Sequence, residues 1–198
     1  MRQRVDDARE DEIAQGCVGG GTGMICHGFK GGIGIARREA GAHAVGVLVQ
    51  ANHGRRPRLT IDGVPVGREI GADVVPLPGT PAGAGSIIVV VATDAPLLPH
   101  QCDRVAQRAV LGVGRTGGAG ENSSGDIVLC FSTADRRASF LENDELDELF
   151  YATIDATEAA IVNALLHATT TTGKDGRVVH ALPHDLLDEV RRRYAHGA

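Results

Sequence analysis

Two uninterrupted apolar runs constrain this chain more than any other feature of it. They are Ala44 to Val49 (AVGVLV) and Ser86 to Ala92 (SIIVVVA). Their length and their content of branched side chains suit buried strands better than helices. Neither alternates apolar with polar residues. The second run therefore predicts a strand buried on both faces, in a sheet covered by another layer.

The segments around these runs read as a layered α/β protein. Thr60 to Val66 predicts a short strand or hairpin that turns at Asp62-Gly63. Val75 to Gly85 holds three prolines and three glycines and predicts a loop. Pro99 suits a first helical turn, where its missing N–H costs nothing. The helix it opens is expected to end near Leu111, with Gly112 as the stop and Cys102, Val105, Ala106, Ala109 and Val110 as its apolar face. A glycine loop to Gly120 follows, then a strand from Asp126 to Ser132. A long helix is expected from about Asp144 to His167, with Leu146, Leu149, Phe150, Ile154, Ile161 and Leu165 near helical spacing. A short helix spans Pro183 to Tyr194, its basic end matching the helix dipole. The internal topology does not follow from the pattern.

Composition excludes several function classes. A formal charge of −5 argues against a general nucleic-acid binder, which would carry a basic face. No run of about 18 apolar residues stands out as a membrane span. The first 15 residues are charged, with five acidic side chains between Asp6 and Glu12, and lack the apolar stretch of a signal peptide. A cytoplasmic protein without membrane or nucleic-acid partners is the expectation. The cysteines (Cys17, Cys26, Cys102, Cys130) lack CxxC spacing and read as buried free thiols. The eight histidines form no HxH or HExxH pattern, so no metal and no cofactor is expected. His27 reads as a tolerated surface histidine.

Chemistry is concentrated in Gly114 to Asp126, a glycine-rich loop that ends in Ser123 and Ser124 at the start of a strand. On the residues alone it is a plain loop with a Ser-Gly turn. A phosphate cradle is a weaker reading, because the loop lacks a GKS or GKT ending and no helix follows directly.

Several runs taken in order resemble one family. They are Gly21-Thr22-Gly23-Met24, Gly28-Phe29-Lys30-Gly31-Gly32-Ile33-Gly34, Val45 to Asn52 and Gly63 to Glu69. Ala92-Thr93-Asp94-Ala95-Pro96-Leu97, Ser124-Gly125-Asp126 with Phe131-Ser132-Thr133, and Ala156-Thr157-Glu158 with Asn163-Ala164-Leu165 complete the set. The match is to the self-cleaving serine aminopeptidases of the DmpA and β-aminopeptidase type, over about residues 16–195. It implies a layered αββα sandwich of the N-terminal-nucleophile type, with two sheets between helical layers and an oligomeric active form. Residues 16–198 would then be one partial domain behind the charged segment 1–15, with the family's N-terminal part missing or supplied as a separate half.

The resemblance also implies a mechanism. The precursor cuts itself just before a serine, here between 123 and 124, and that serine becomes an N-terminal nucleophile. Its own α-amine, with a reference pKa of about 8, acts as the base. Ser124 is the expected nucleophile, with a cut before Ser123 as the alternative register. Glu158 is implied to hold the freed ammonium and the substrate's amino group. Some members carry a serine two residues before that glutamate, where this chain has Ala156. Asn52 is the candidate oxyanion donor, against a plain turn asparagine. The substrate would be a small peptide, amino-acid amide or ester with a free amino end. A non-catalytic remnant or partner subunit is the alternative. An acyltransferase of the ornithine acetyltransferase sort is a third reading, which the serine disfavours because that family usually uses threonine.

Overall fold

The computed structural model describes residues 13–79, 85–135 and 138–195. The acidic stretch up to residue 12 and the middle of the Pro/Gly loop lie outside the described residues. In chain order the elements begin with a small hairpin of β1 (Ile25–Cys26) and β2 (Phe29–Lys30). Long strands β3 (Gly32–Ala40) and β4 (His43–Asn52) follow, then a single helical turn α1 (Val66–Glu69). Strand β5 (Ser86–Thr93), helix α2 (Pro99–Arg115), strand β6 (Ile127–Ser132) and helix α3 (Asp147–Leu166) complete the main body. A two-residue pair, β7 (Thr171–Thr172) with β8 (Val178–Val179), precedes helix α4 (His184–Ala195).

The main sheet has the order β3-β4-β5-β6. Pairing is antiparallel from β3 to β5, and β6 lies parallel to β5. That last connection needs a crossover, and α2 supplies it. Helices α2 and α3 cover one face. Val45, Val47, Val49 and Ala51 of β4, with Ile87, Val89 and Val91 of β5, point into that layer and are buried. They meet Val105, Ala109 and Val113 of α2 and Ala156, Ala160, Ile161 and Ala164 of α3 in one core.

Two glycines set how closely the layers approach. A side chain at Gly34 would fall onto the carbonyl oxygen of Ala160, so α3 lies directly on β3 there. A side chain at Gly112 would meet the Ile154 carbonyl and Thr157 across the α2–α3 crossing. Gly112 is thus a packing position inside the helix, which runs on to Arg115 instead of stopping. The buried face of the helix is Gln101, Val105, Ala109, Gly112 and Val113, which leaves Val110 exposed. The expected turn at Asp62-Gly63 is present: both residues have positive φ, and Ile61 and Val64 pair across them, as a type I′ turn requires.

The expected burial of both sheet faces does not hold. On the face away from the helices Ile88 is 40% exposed, Ile127 59%, Leu129 56% and Phe131 43%. The register places Ile88 beside Ile127, Val90 beside Leu129 and Ala92 beside Phe131, so these residues form one apolar patch. Among the described residues, helices cover one face of the sheet and leave the apolar side chains on the other side of the run SIIVVVA partly open. Helix α3 with the turn before it (Asn143–Leu166) is long and apolar enough to cross a membrane by length and composition, contrary to expectation. Most of it is buried against the sheet, which accounts for its apolar character.

Gly34→Ala is expected to destabilise the fold by about 2–3 kcal/mol, because a backbone carbonyl cannot rotate out of the way. Gly46→Ala, whose new methyl would meet only the Ala92 carbonyl at 3.9 Å, is expected to change little. Urea titration of both variants, read as a midpoint shift at unchanged slope, checks the contrast.

Candidate active site

The site lies where β4 ends and where β5 and β6 begin. Helix α2 stops at Arg115. The Thr116 hydroxyl donates back to the Val113 carbonyl, and Gly117 reverses the chain with φ +92°. The following loop is tied to α2 by the Gly118 N–H on the Val113 carbonyl at 2.9 Å. A tight turn closes it: the Ser124 N–H donates to the Glu121 carbonyl at 2.7 Å, which leaves Asn122 and Ser123 at the tip. Glu121 is held in turn by Arg55 at 3.3 Å.

The two serines occupy different environments. Ser123 is exposed at the turn tip, and among the described residues none holds its side chain by a hydrogen bond. Ser124 is half-buried, and its Oγ lies 2.6 Å from Asp126 Oδ1 and 2.9 Å from the Gly85 carbonyl. Asp126 Oδ1 also accepts the Ile87 N–H at 3.0 Å, and the Gly125 N–H donates to Ser86 Oγ at 2.9 Å. The start of β6 is thereby laced to the start of β5. Asp126 was read from the sequence only as part of a motif. Its chemical signal was its position two residues after the serine in an extended segment, which puts both side chains on one side.

Asn52 pairs with Ser86 across β4 and β5, which brings it to the same end of the sheet. Its Oδ1 accepts the Ile25 N–H at 2.9 Å. That bond fixes the carboxamide and leaves the Nδ2 end as donor. Glu158 sits on α3, where its Oε2 takes Arg115 Nη1 at 3.2 Å, and Arg115 also pairs with Asp155 at 2.5 Å. No hydrogen bond joins Glu158 to Ser124. Ala156 is fully buried in the core, and the Thr157 hydroxyl is spent on the Thr153 carbonyl.

Behind the loop lies a group that the sequence reading missed. Cys26, His27 and His53 are buried together, and His27 has no exposed surface, so it is not a surface histidine. Burial drops the His27 imidazole to about 4 and, with His27 beside it, drops His53 to about 3. Both rings are neutral. Burial also pushes the Cys26 thiol up to about 12. Cys26 is the one fully buried thiol; Cys17, Cys102 and Cys130 are half-buried. Adjacent Cys26-His27 with His53 far along the chain has no recognisable ligand spacing. Only the pairing of the β1–β2 turn with the end of β4 assembles it, through the His27 N–H on the His53 carbonyl at 2.7 Å.

The family model described as Peptidase family S58 matches residues 1–179. The chain belongs to peptidase family S58. It is 43% identical to a β-peptidyl aminopeptidase BapA of Sphingosinicella microcystinivorans, over 96% of this chain and 54% of that protein. Among solved structures, the L-aminopeptidase D-Ala-esterase/amidase of Ochrobactrum anthropi, an N-terminal-nucleophile hydrolase variant, superposes with a TM-score of 0.86 at 43% identity. The match covers 98% of this chain and 56% of that one. A Burkholderia sp. β-aminopeptidase gives 0.84 at 44% identity, over 96% and 57%. The fold class is therefore that of these hydrolases, and the chain spans about half the length of the relatives it matches.

The Arg115–Glu158 contact is half open to solvent, and such pairs contribute under about 1 kcal/mol. Glu158→Gln is expected to leave the thermal midpoint within about 3 °C of the parent, checked by scanning calorimetry. A larger drop would give the pair a structural role.

Proposed function

We propose that this chain carries the nucleophile of a self-processing serine aminopeptidase and that Ser124 is that nucleophile. The observation that supports it is the contrast between the two serines. Ser124 is half-buried and its Oγ already donates toward the Asp126 carboxylate, whereas Ser123 is exposed at the tip of a tight turn.

In the maturation step Ser124 Oγ attacks the carbonyl carbon of Ser123, the peptide bond immediately before it. The hydroxyl proton passes to Asp126, which sits at hydrogen-bond distance. The C–N bond then breaks, the departing nitrogen takes a proton, and residue 123 is left as an ester on the Ser124 oxygen. Water hydrolyses that ester, releasing a carboxylate at 123 and a free α-amine at 124. The amine and hydroxyl now share one residue, so their proximity is covalent. In turnover on a small peptide, amide or ester, the amine takes the hydroxyl proton as the oxygen attacks the substrate carbonyl. The α-amine returns that proton to the departing amine or alcohol as the C–N or C–O bond breaks, and water then hydrolyses the acyl ester to restore the serine. Asn52 Nδ2 faces the developing oxyanion, and Glu158, released from Arg115, holds the substrate's ammonium.

This reading has the open sheet face covered by a second layer, as a four-layer sandwich requires. The apolar patch of Ile88, Ile127, Leu129 and Phe131 supports it, since so large an exposed apolar surface marks an interface. The relatives are about twice this chain's length, which leaves ample sequence for such a layer.

Intact-mass spectrometry of the purified chain tests the proposal. The expected result is two pieces, 1–123 and 124–198, with Ser124→Ala uncut and Ser123→Ala still cut. A second fragment that begins at 123 would move the nucleophile by one residue, and a chain uncut after long incubation would overturn the reading. Asn52→Ala is expected to lower kcat on amino-acid amides about 100-fold with a smaller change in KM. Steady-state kinetics on the processed protein measures it.

A further inference from the structure

We propose that Cys26, His27 and His53 form a zinc-binding site that clips the β1–β2 turn to the end of β4. One ligand atom from each lies within 4.8 Å of the others, and all three residues are buried. Tetrahedral zinc with one thiolate and two imidazoles holds its ligand atoms about 3.5 Å apart. Closing the gap takes about 1 Å of movement of the ligand atoms.

The two imidazoles keep unused donor or acceptor capacity beside the thiol. His27 Nδ1 lies 3.1 Å from the Arg55 carbonyl, so it carries the proton and leaves the lone pair on Nε2. That is the arrangement in which a backbone carbonyl orients a metal-bound histidine. Nε2 of His27 and Nε2 of His53 are both buried without a hydrogen-bond partner. Two such orphans in one pocket are rare in folded proteins, because each carries a desolvation cost with nothing to offset it. His53 Nδ1 lies 3.9 Å from Cys26 Sγ, a long sulfur hydrogen bond that keeps the imidazole and the thiol side by side. The two rings meet edge to face at 5.2 Å. The His27 backbone has φ 51°, an unfavourable conformation for a residue with a side chain, and it aims the ring inward.

The mixed thiolate and imidazole set selects a borderline-soft ion such as Zn2+ over Mg2+ or Ca2+. On binding, the Cys26 thiol gives up its proton to solvent and the sulfur becomes the charged ligand. Around the site, Glu121 acts on His27 and Asp126 on His53 in the sense that favours a cation, and Arg56 and Arg58 act on His27 in the opposite sense. The ion would sit directly behind the nucleophile loop. A side chain at Gly85 would meet the backbone of His53, and one at Gly118 would meet its ring. Its role is therefore positioning: it holds His53, and through it the strand end that carries Asn52 and faces Gly85.

Metal titration of the full chain tests this, independently of whether the chain cuts itself. Addition of Co2+ is expected to give one equivalent of binding with a thiolate-to-metal charge-transfer band. Zn2+ should displace it and raise the melting midpoint by about 5 °C or more. Cys26→Ser and His53→Gln should each abolish the band. A variant in which Cys17, Cys102 and Cys130 are all serine should keep it, and X-ray absorption at the zinc edge should show one sulfur and two imidazole nitrogens. No stoichiometric binding, a band that survives Cys26→Ser, or its loss in the chain whose sole cysteine is Cys26 would each overturn the site.

Discussion

The antiparallel ladder between β4 and β5 is the interaction on which the rest of the structure depends. It runs from Val45 opposite Thr93 to Asn52 opposite Ser86. Along its length it aligns the valines that α2 and α3 bury, and each such side chain contributes about 1.5–3 kcal/mol when fully removed from water. At its last pair it changes from core to chemistry. Asn52, Ser86 and Gly85 are brought together there, and the start of β6 is fastened to them by the Ser124, Gly125 and Asp126 hydrogen bonds. A slip of one residue in this ladder would turn the valines outward and move Asn52 away from Ser86 at once. Stability and site geometry are therefore set by the same register.

The irregular chain before β3 is held by a different device. Lys30 is buried, and its ammonium donates to the carbonyls of Gly21, Met24 and Gly31 at 2.7–3.0 Å. Arg56 is buried too, donates to the carbonyls of His27, Gly28, Ile70 and Val75, and lies over the Phe29 ring at 3.3 Å. A glycine-rich segment outside regular structure leaves many carbonyls without partners, and an orphaned one costs about 1–3 kcal/mol. One multi-donor cation satisfies several at once. Burial lowers both cations' affinity for their protons, Arg56 to about 10, which still leaves it charged at neutral pH. These two residues hold the turn that presents Cys26 and His27.

Much of this was legible in the sequence, and the exceptions have physical causes. The β4 and β5 runs, the Asp62-Gly63 turn and the long core helix follow from side-chain period and turn chemistry, which are local. Gly112 did not follow, because a glycine that admits a neighbouring helix looks the same in sequence as one that ends a helix. His27 was misjudged for a related reason. Histidine next to glycine in a polar-looking loop reads as surface, and only the long-range contact between residues 27 and 53 buries it. The exposed patch on β6 is the opposite case. The pattern predicts a strand over these residues and leaves their exposure open; they are apolar and exposed because, among the described residues, helices cover only the other face of the sheet.

The position of Ser124 shows why two adjacent serines are not chemically equivalent even where the sequence alone ranks them only by resemblance. In a four-residue turn the two central residues project outward, while the fourth is drawn back by its own N–H bond. Glu121 opens the turn here and Ser124 closes it. The residue that closes the turn is also the first that β6 can fasten to β5, so its side chain inherits the strand's neighbours, the Asp126 carboxylate and the Gly85 carbonyl. The peptide bond before it belongs to the turn and the hydroxyl to the sheet edge. The proposed intramolecular attack requires two parts, a rigid edge that holds the hydroxyl and a tight loop that carries the peptide bond before it. The Ser123–Ser124 bond lies where they join.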